Sequence, residues 1–121
     1  MSQQLVSFRP EEYRMLTATI GNYLEYLQQM VPPSAERDRL LSVLQGVHVR
    51  LRHVLVLGQK REGQRLWLTE VEVSAIEMAL VTFARLVHLI IKPSEEQEGT
   101  LLELDRMRWR VRTLLFPPPF H

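Results

Sequence analysis

Apolar residues recur at every third or fourth position in four separate stretches of the chain, which is the spacing of a helix with one buried face. The first stretch begins at Pro10, which suits the first turn of a helix, and ends before Pro32. The second follows Ser34, a favourable N-cap, and continues to Gly58, a favourable C-cap. The predicted buried positions of these two helices are Tyr13, Leu16, Ile20, Tyr23, Leu27, Met30, Leu40, Leu44, Val47, Leu51 and Val54.

Two further helices are predicted in the second half of the chain. Thr69 and Glu72 have the spacing of a capping box, which indicates the start of the third helix, and Pro93 ends that helix. Ser94 or Thr100 is the predicted N-cap of the fourth helix. The predicted buried positions of these helices are Val73, Ile76, Leu80, Phe83, Val87, Ile90, Leu104, Met107, Val111 and Leu114.

The two halves of the chain match each other without gaps at an offset of 60 residues, so that residues 12–55 align with 72–115. Turns, caps and buried positions coincide in this alignment, except that Leu40 aligns with the polar Thr100. We therefore expect an internal duplication of one helical hairpin. Further matches pair Glu12 with Glu72, Ser34 with Ser94, Arg50 with Arg110, and Arg52 with Arg112.

The predicted fold is all-α, an antiparallel four-helix bundle of two tandem hairpins related by a pseudo-twofold axis. We expect a single domain over 1–121. Its segments are hairpin one at 10–57, a connecting loop at 58–68, hairpin two at 69–116 and a proline-rich tail at 117–121. The competing prediction is a β-hairpin of 47–57 with 64–73, because residues 47–52 also alternate with a period of two. The helical spacing extends further in both halves and therefore favours helices.

Composition restricts the chemistry that this chain supports. Its 121 residues include no cysteine, which excludes disulfides and thiolate metal sites and suits a reducing, cytoplasmic location. The formal net charge is +1, so the overall charge does not predict a nucleic-acid or membrane partner. We expect no signal peptide at the N-terminus and no membrane span, because Glu77 and Arg85 interrupt the most apolar stretch.

The sequence carries no recognisable catalytic or cofactor motif. None of its histidines follows a glutamate by three positions, which is the spacing of metal sites in helical bundles. No glycine-rich phosphate loop is present, and Ser42 and Ser74 have no local context of an activated nucleophile. We therefore predict a non-enzymatic protein with no cofactor. Capture of a small molecule between Tyr13, Tyr23 and Phe83 is a weaker alternative, because aromatic residues at helical spacing are typical of a core.

The third and fourth helices carry more apolar residues than one buried face requires. Apolar patches that include tryptophan beside arginine are typical of protein interfaces. We therefore predict self-association as a homodimer, or binding to another protein. The alternatives are that the tail covers Trp109, or that the third helix is simply the most buried element. The candidate interface residues are Met78, Val81, Leu86, Leu89, Leu102, Trp109 and Phe116.

A cluster of arginines is predicted at one end of the bundle. One interpretation is a phosphate or nucleic-acid binding surface with Trp109 available for stacking. The favoured interpretation is ion pairing with glutamates at the helix N-termini, Glu12 with Arg50 or Arg52 and Glu72 with Arg110 or Arg112. The members of the cluster are Arg50, Arg52, Arg106, Arg108, Arg110 and Arg112.

Overall fold

The computed structural model describes residues 3–58 and 65–115, which form four helices and two short strands. We refer to β1, α1 and α2 as the first unit, and to β2, α3 and α4 as the second unit. The four predicted helices are confirmed, whereas the two strands were not predicted. The elements in chain order are β1 (Gln3–Ser7), α1 (Pro10–Met30), α2 (Ala35–Gly58), β2 (Arg65–Thr69), α3 (Glu70–Ile90) and α4 (Glu95–Leu115).

Side-chain caps define the starts of three helices. The Thr69 hydroxyl accepts a hydrogen bond from the Glu72 backbone N–H, and the Glu72 carboxylate accepts one from the Thr69 N–H, which confirms the predicted capping box. Ser34 Oγ caps α2 by accepting a hydrogen bond from the Arg37 N–H at 3.0 Å. Ser94, rather than Thr100, caps α4 in the same way.

The core follows the predicted helical stripes. Sixteen predicted positions are at most 7% exposed, and Leu40, Phe83 and Leu114 pack against them half-buried. Met30 and Ile90 are exposed instead, because each is the last residue of its helix. The sixteen buried positions are Tyr13, Leu16, Ile20, Tyr23, Leu27, Leu44, Val47, Leu51, Val54, Val73, Ile76, Leu80, Val87, Leu104, Met107 and Val111.

The strands β1 and β2 form a two-stranded antiparallel sheet in which Val6 lies opposite Leu66. Side chains alternate between the two faces, so that Val6 and Leu66 lie in the core while Leu5 and its partner Trp67 face outward. Over the described residues, the fold is therefore mostly helical, with four helices and one small two-stranded sheet.

In this part of the chain the predicted loop was wrong, and the competing β-hairpin, which the sequence disfavoured, is excluded. The connecting loop predicted at 58–68 contains most of β2, and Gly58 belongs to α2. In the competing β-hairpin, residues 47–57 were expected to pair with 64–73, but 47–57 are helical and β2 pairs with the N-terminal β1. The reason is that a five-residue strand gives only a short period-two signal, and its partner lies about sixty positions away in the chain.

Helix α3 is the central element, because it contacts α1, α2, α4 and β2. Ala75 and Ala79, which lie beside its predicted stripe, are buried. Part of the apolar surplus of α3 is therefore core rather than interface. By length and composition alone, α2 (over Ala35–Leu57) and α3 are apolar enough to span a membrane, as core helices of soluble proteins also can be. The absence of a membrane span stays a prediction.

Candidate interaction surface

Two arginine–glutamate pairs join the first unit to the second. Arg110 Nε lies 3.0 Å from Glu12 Oε2 and 3.3 Å from Oε1, and Arg110 Nη2 donates to the Ser7 carbonyl at 2.9 Å. Glu12 Oε1 also accepts a hydrogen bond from the Arg9 N–H at the start of α1. A single buried carboxylate therefore caps α1 and binds α4, and the same arginine of α4 holds β1.

The second pair repeats these contacts with the units exchanged. Arg50 Nη2 binds Glu72 Oε2, and Arg50 Nη1 donates to the Trp67 carbonyl at 2.6 Å. The sequence predicts ion pairs within each hairpin, Glu12 with Arg50 or Arg52 and Glu72 with Arg110 or Arg112. That prediction was wrong, since pairing of β1 with β2 brings the start of each unit against the second helix of the other.

The remaining arginines of the cluster divide into two groups. Arg112 Nη1 lies 3.2 Å and Arg108 Nε 4.0 Å from Glu77 Oε1 on α3. Neither Arg52 nor Arg106 forms an ion pair within residues 3–58 and 65–115. Four of the six candidate arginines thus contact glutamates, with Arg108 and Arg112 sharing Glu77, which reduces the positive charge that is available to an anion.

The candidate interface residues are exposed to different extents. On α4, Leu102 is 67% and Trp109 56% exposed, and the Arg112 guanidinium lies 5.9 Å from the centre of the Trp109 ring. On α3, Met78 is 52% and Leu89 78% exposed. The other candidates contribute less: Val81 and Leu86 are half-buried, and Phe116 lies outside the described residues, as does the predicted tail.

A groove of about 360 Å³ runs between α3 and α4 beside these residues. Its lining includes the apolar residues Val81, Ala84 and Leu101 and the charged residues Asp105 and Arg108. Of the candidate interface residues, Val81 lines this groove. The exposed surface of the second unit therefore combines apolar area with charges of both signs.

The corresponding groove between α1 and α2 is larger, about 510 Å³, and sequence reasoning did not identify it. His48 lines it and packs on Gly21, where a Cβ would lie only 3.1 Å from His48 Nε2. Burial lowers the pKa of His48, and Arg52 lowers it further, while a hydrogen bond to the Thr17 backbone raises it. The sequence signal that could have indicated a close approach of two helices here is Gly21, a glycine in the interior of a predicted helix.

The aromatic residues considered for small-molecule capture belong to the core or its edge. Tyr13 packs edge-on against Phe8 with ring centres 5.4 Å apart, and its hydroxyl accepts a hydrogen bond from the Phe8 N–H. Burial raises the pKa of Tyr13. Tyr23 is buried and Phe83 half-buried. Within the described residues, no group of three or more histidines and acids is arranged to hold a metal ion.

The outer face of the sheet is a further apolar area that the sequence did not indicate. Leu5 and Trp67 lie opposite each other in the sheet and are both exposed. Trp67 lay in the segment expected to be a loop, so no face could be assigned to its side chain beforehand. No family model, no curated protein and no solved structure matches this chain.

Proposed function

We propose that this chain is a non-enzymatic helical interaction module that self-associates through the exposed apolar residues of α3 and α4. The observation that carries the proposal is the exposure of Leu102 and Trp109 on a helix whose outward residues are otherwise mainly charged. Large apolar side chains on such a helix are most simply explained by a surface that covers them. A tryptophan flanked by arginine is also the composition that interface hot spots favour.

We further propose that the two units are copies of one ancestral βαα unit, related by a pseudo-twofold axis through the sheet. Val6 and Leu66, which lie opposite each other, are 60 positions apart, as are Arg50 and Arg110. Contacts at matching positions support the same relation. Arg50 binds Glu72 and the Trp67 carbonyl, and Arg110 binds Glu12 and the Ser7 carbonyl. Arg37 donates to the Val31 carbonyl at 2.9 Å, and Gln97 to the Ile91 carbonyl at 2.8 Å.

The alternative of a nucleic-acid or phosphate binder has less support. Binding of nucleic acid draws its strength from unpaired cationic side chains that displace counterions. Here Arg50, Arg108, Arg110 and Arg112 already contact glutamates. We therefore favour the interaction module.

Light scattering coupled to size-exclusion chromatography on the intact chain tests the proposal. We expect a mass near twice 14.2 kDa for the wild type and near 14.2 kDa for Trp109→Glu, because a buried carboxylate opposes apolar contact. Met30→Glu is the matched control, since Met30 is also exposed but lies at the end of α1. A wild type that stays monomeric across concentrations, or a Trp109→Glu variant that stays dimeric, would contradict the proposal.

A further inference from the structure

The groove of the second unit contains a carboxylate that bridges its basic residues. Glu77, on α3, lies within 4.0 Å of both Arg108 and Arg112 on α4. Its side chain is only 16% exposed, so the charge interaction acts in a partly desolvated seam between the helices. This carboxylate offsets the two cationic side chains that face it.

In the groove of the first unit, no carboxylate of the described residues bridges the side chains at the corresponding positions. In the register of the proposed repeat, Thr17 occupies the position of Glu77, and His48 and Arg52 occupy those of the two arginines. Neither His48 nor Arg52 forms an ion pair among the described residues. Glu25 lines the same groove about two turns further along α1 and is not paired with Arg52. Within residues 3–58 and 65–115, Arg52 therefore has no charge partner.

The groove also has room for an inserted side chain. Its volume of about 510 Å³ exceeds the 360 Å³ of the groove in the second unit. Leu55 and Val56 supply an apolar wall beside Arg52. Val56 is 72% exposed. An occupant that matches this groove would combine apolar side chains with a carboxylate.

Helix α4 carries such a combination on its outer face. Glu98, Leu102, Asp105 and Trp109 are spaced by four, three and four positions, so they lie on one side of the helix, and all are exposed. The Asp105 carboxylate forms no ion pair within the described residues. This stripe therefore presents a carboxylate beside apolar side chains, and the first groove presents the Arg52 guanidinium beside an apolar wall.

We propose that the α1–α2 groove of one copy of this chain receives the α4 stripe of a second copy, with Asp105 opposite Arg52 and Trp109 against the apolar wall. The inference rests on the proposed self-association and names the surface that accepts the α4 face. The groove and the stripe are different surfaces, so a closed dimer forms when each copy inserts its stripe into the groove of the other. Charge complementarity then selects the orientation of the two copies.

Charge reversal tests this pairing in the intact chain. We expect Arg52→Glu and Asp105→Arg each to weaken dimerisation by about tenfold or more, because each places like charges opposite each other. The double variant Arg52→Glu/Asp105→Arg reverses both charges and should recover most of the loss. Dissociation constants from sedimentation velocity over a range of concentrations measure these effects. Arg39→Glu is the matched control, since Arg39 is an exposed residue near the start of α2 and should leave the constant unchanged.

The outcomes separate this inference from the proposed function. A dimeric wild type whose constant is unchanged by Arg52→Glu and by Asp105→Arg would overturn the inference and leave self-association standing. A double variant as weak as the single variants would also overturn the pairing. A wild type that is monomeric at every concentration would overturn both proposals. Thermal melts of each variant check that the fold is kept, and Asp105→Asn serves if Asp105→Arg does not fold.

Discussion

The first and second units share the contacts that join them and differ on the surfaces that face outward. In each unit, the third residue of the first helix is a glutamate that accepts a hydrogen bond from a backbone N–H at the start of that helix. The same glutamate binds an arginine of the other unit. The grooves differ: Glu77 bridges two arginines in the second unit, whereas Thr17 takes its place in the first, where Arg52 forms no ion pair with any described residue. The outer face of the second helix differs too, with Val49 in the first unit where Trp109 stands in the second.

The units also pack on each other unevenly. Helix α2 contacts α3 more extensively than α4 contacts α1. Between α1 and α4 a cleft of about 130 Å³ remains, lined by Met15 and Arg106 among others. Ala75 stands at the position that corresponds to Met15, and the smaller side chain allows closer approach of the helices. The joining contacts therefore define the fold, and the outward differences provide the surfaces on which the proposed partner would be recognised.

Core truncation at matching positions should give the largest effect. Leu44 and Leu104 are both nearly inaccessible, so Leu44→Ala and Leu104→Ala should each lower the free energy of unfolding by about 2–5 kcal/mol. Urea denaturation followed by circular dichroism measures both losses. If the units fold as one cooperative structure, each variant should give a single transition; two separate transitions would show that the units unfold independently.

Removal of the joining glutamates should give the next largest effect. Glu12→Ala and Glu72→Ala each delete a helix cap and a partner of a unit-joining arginine, and we expect losses of about 1–2 kcal/mol. Glu12→Ala should cost more, because the Glu12 side chain is 9% exposed and that of Glu72 19%. Chemical denaturation compares both with Glu11→Ala, an exposed control that should change stability by less than about 0.5 kcal/mol. Equal results for all three would contradict the role of the pairs.

Replacement of two helical glycines by alanine should change the free energy of unfolding by less than removal of the joining glutamates, and by different amounts at the two positions. A Cβ at Gly46 would meet no atom within 4 Å, so Gly46→Ala should raise the free energy of unfolding by about 0.5–1 kcal/mol through helix propensity. Gly21→Ala should gain less, because its methyl group must displace the His48 ring. Thermal and urea denaturation of both variants measure the difference. An equal gain at both positions would show that His48 does not pack on Gly21.

Titration of His48 should give the smallest effect. Its pKa is lowered in the folded protein, first by burial and then by Arg52. As the pH falls below about 6.5, His48 is therefore protonated more readily in the unfolded chain than in the folded protein. The stability that the neutral His48 ring contributes is complete above that pH and is lost below it. His48→Gln should flatten the dependence of the free energy of unfolding on pH between about pH 7 and 5. His53→Gln is the control for the loss of a histidine. An unchanged profile in His48→Gln would show that the ring titrates as in the unfolded chain.

The helices could be predicted from the sequence because the patterns that indicate them involve residues only a few positions apart. The stripe that includes Leu44 and Leu51, and the capping box of Thr69 and Glu72, are two such patterns. The sheet could not be predicted in the same way, since Val6 gains its partner Leu66 only when the units pack together. A short strand without its partner gives little pattern to recognise.

The candidate site was predicted in part for the same reason. The exposure of Leu102 and Trp109 agrees with their position off the buried stripe of α4. The sequence also placed arginines and glutamates together, but the repeat offers each glutamate two equivalent arginines. Whether Glu12 binds Arg50 or Arg110 depends on the direction in which β1 and β2 pair, which no local pattern encodes.

Reciprocal pairing of the two units is the central claim, and double-mutant cycles on the free energy of unfolding test it most directly. We predict coupling of at least about 0.5 kcal/mol between Glu12 and Arg110 and between Glu72 and Arg50, whose side chains are in contact. For Glu12 with Arg50, and for Glu72 with Arg110, we predict coupling within error of zero. The opposite pattern, with coupling inside each unit and none between them, would contradict the account.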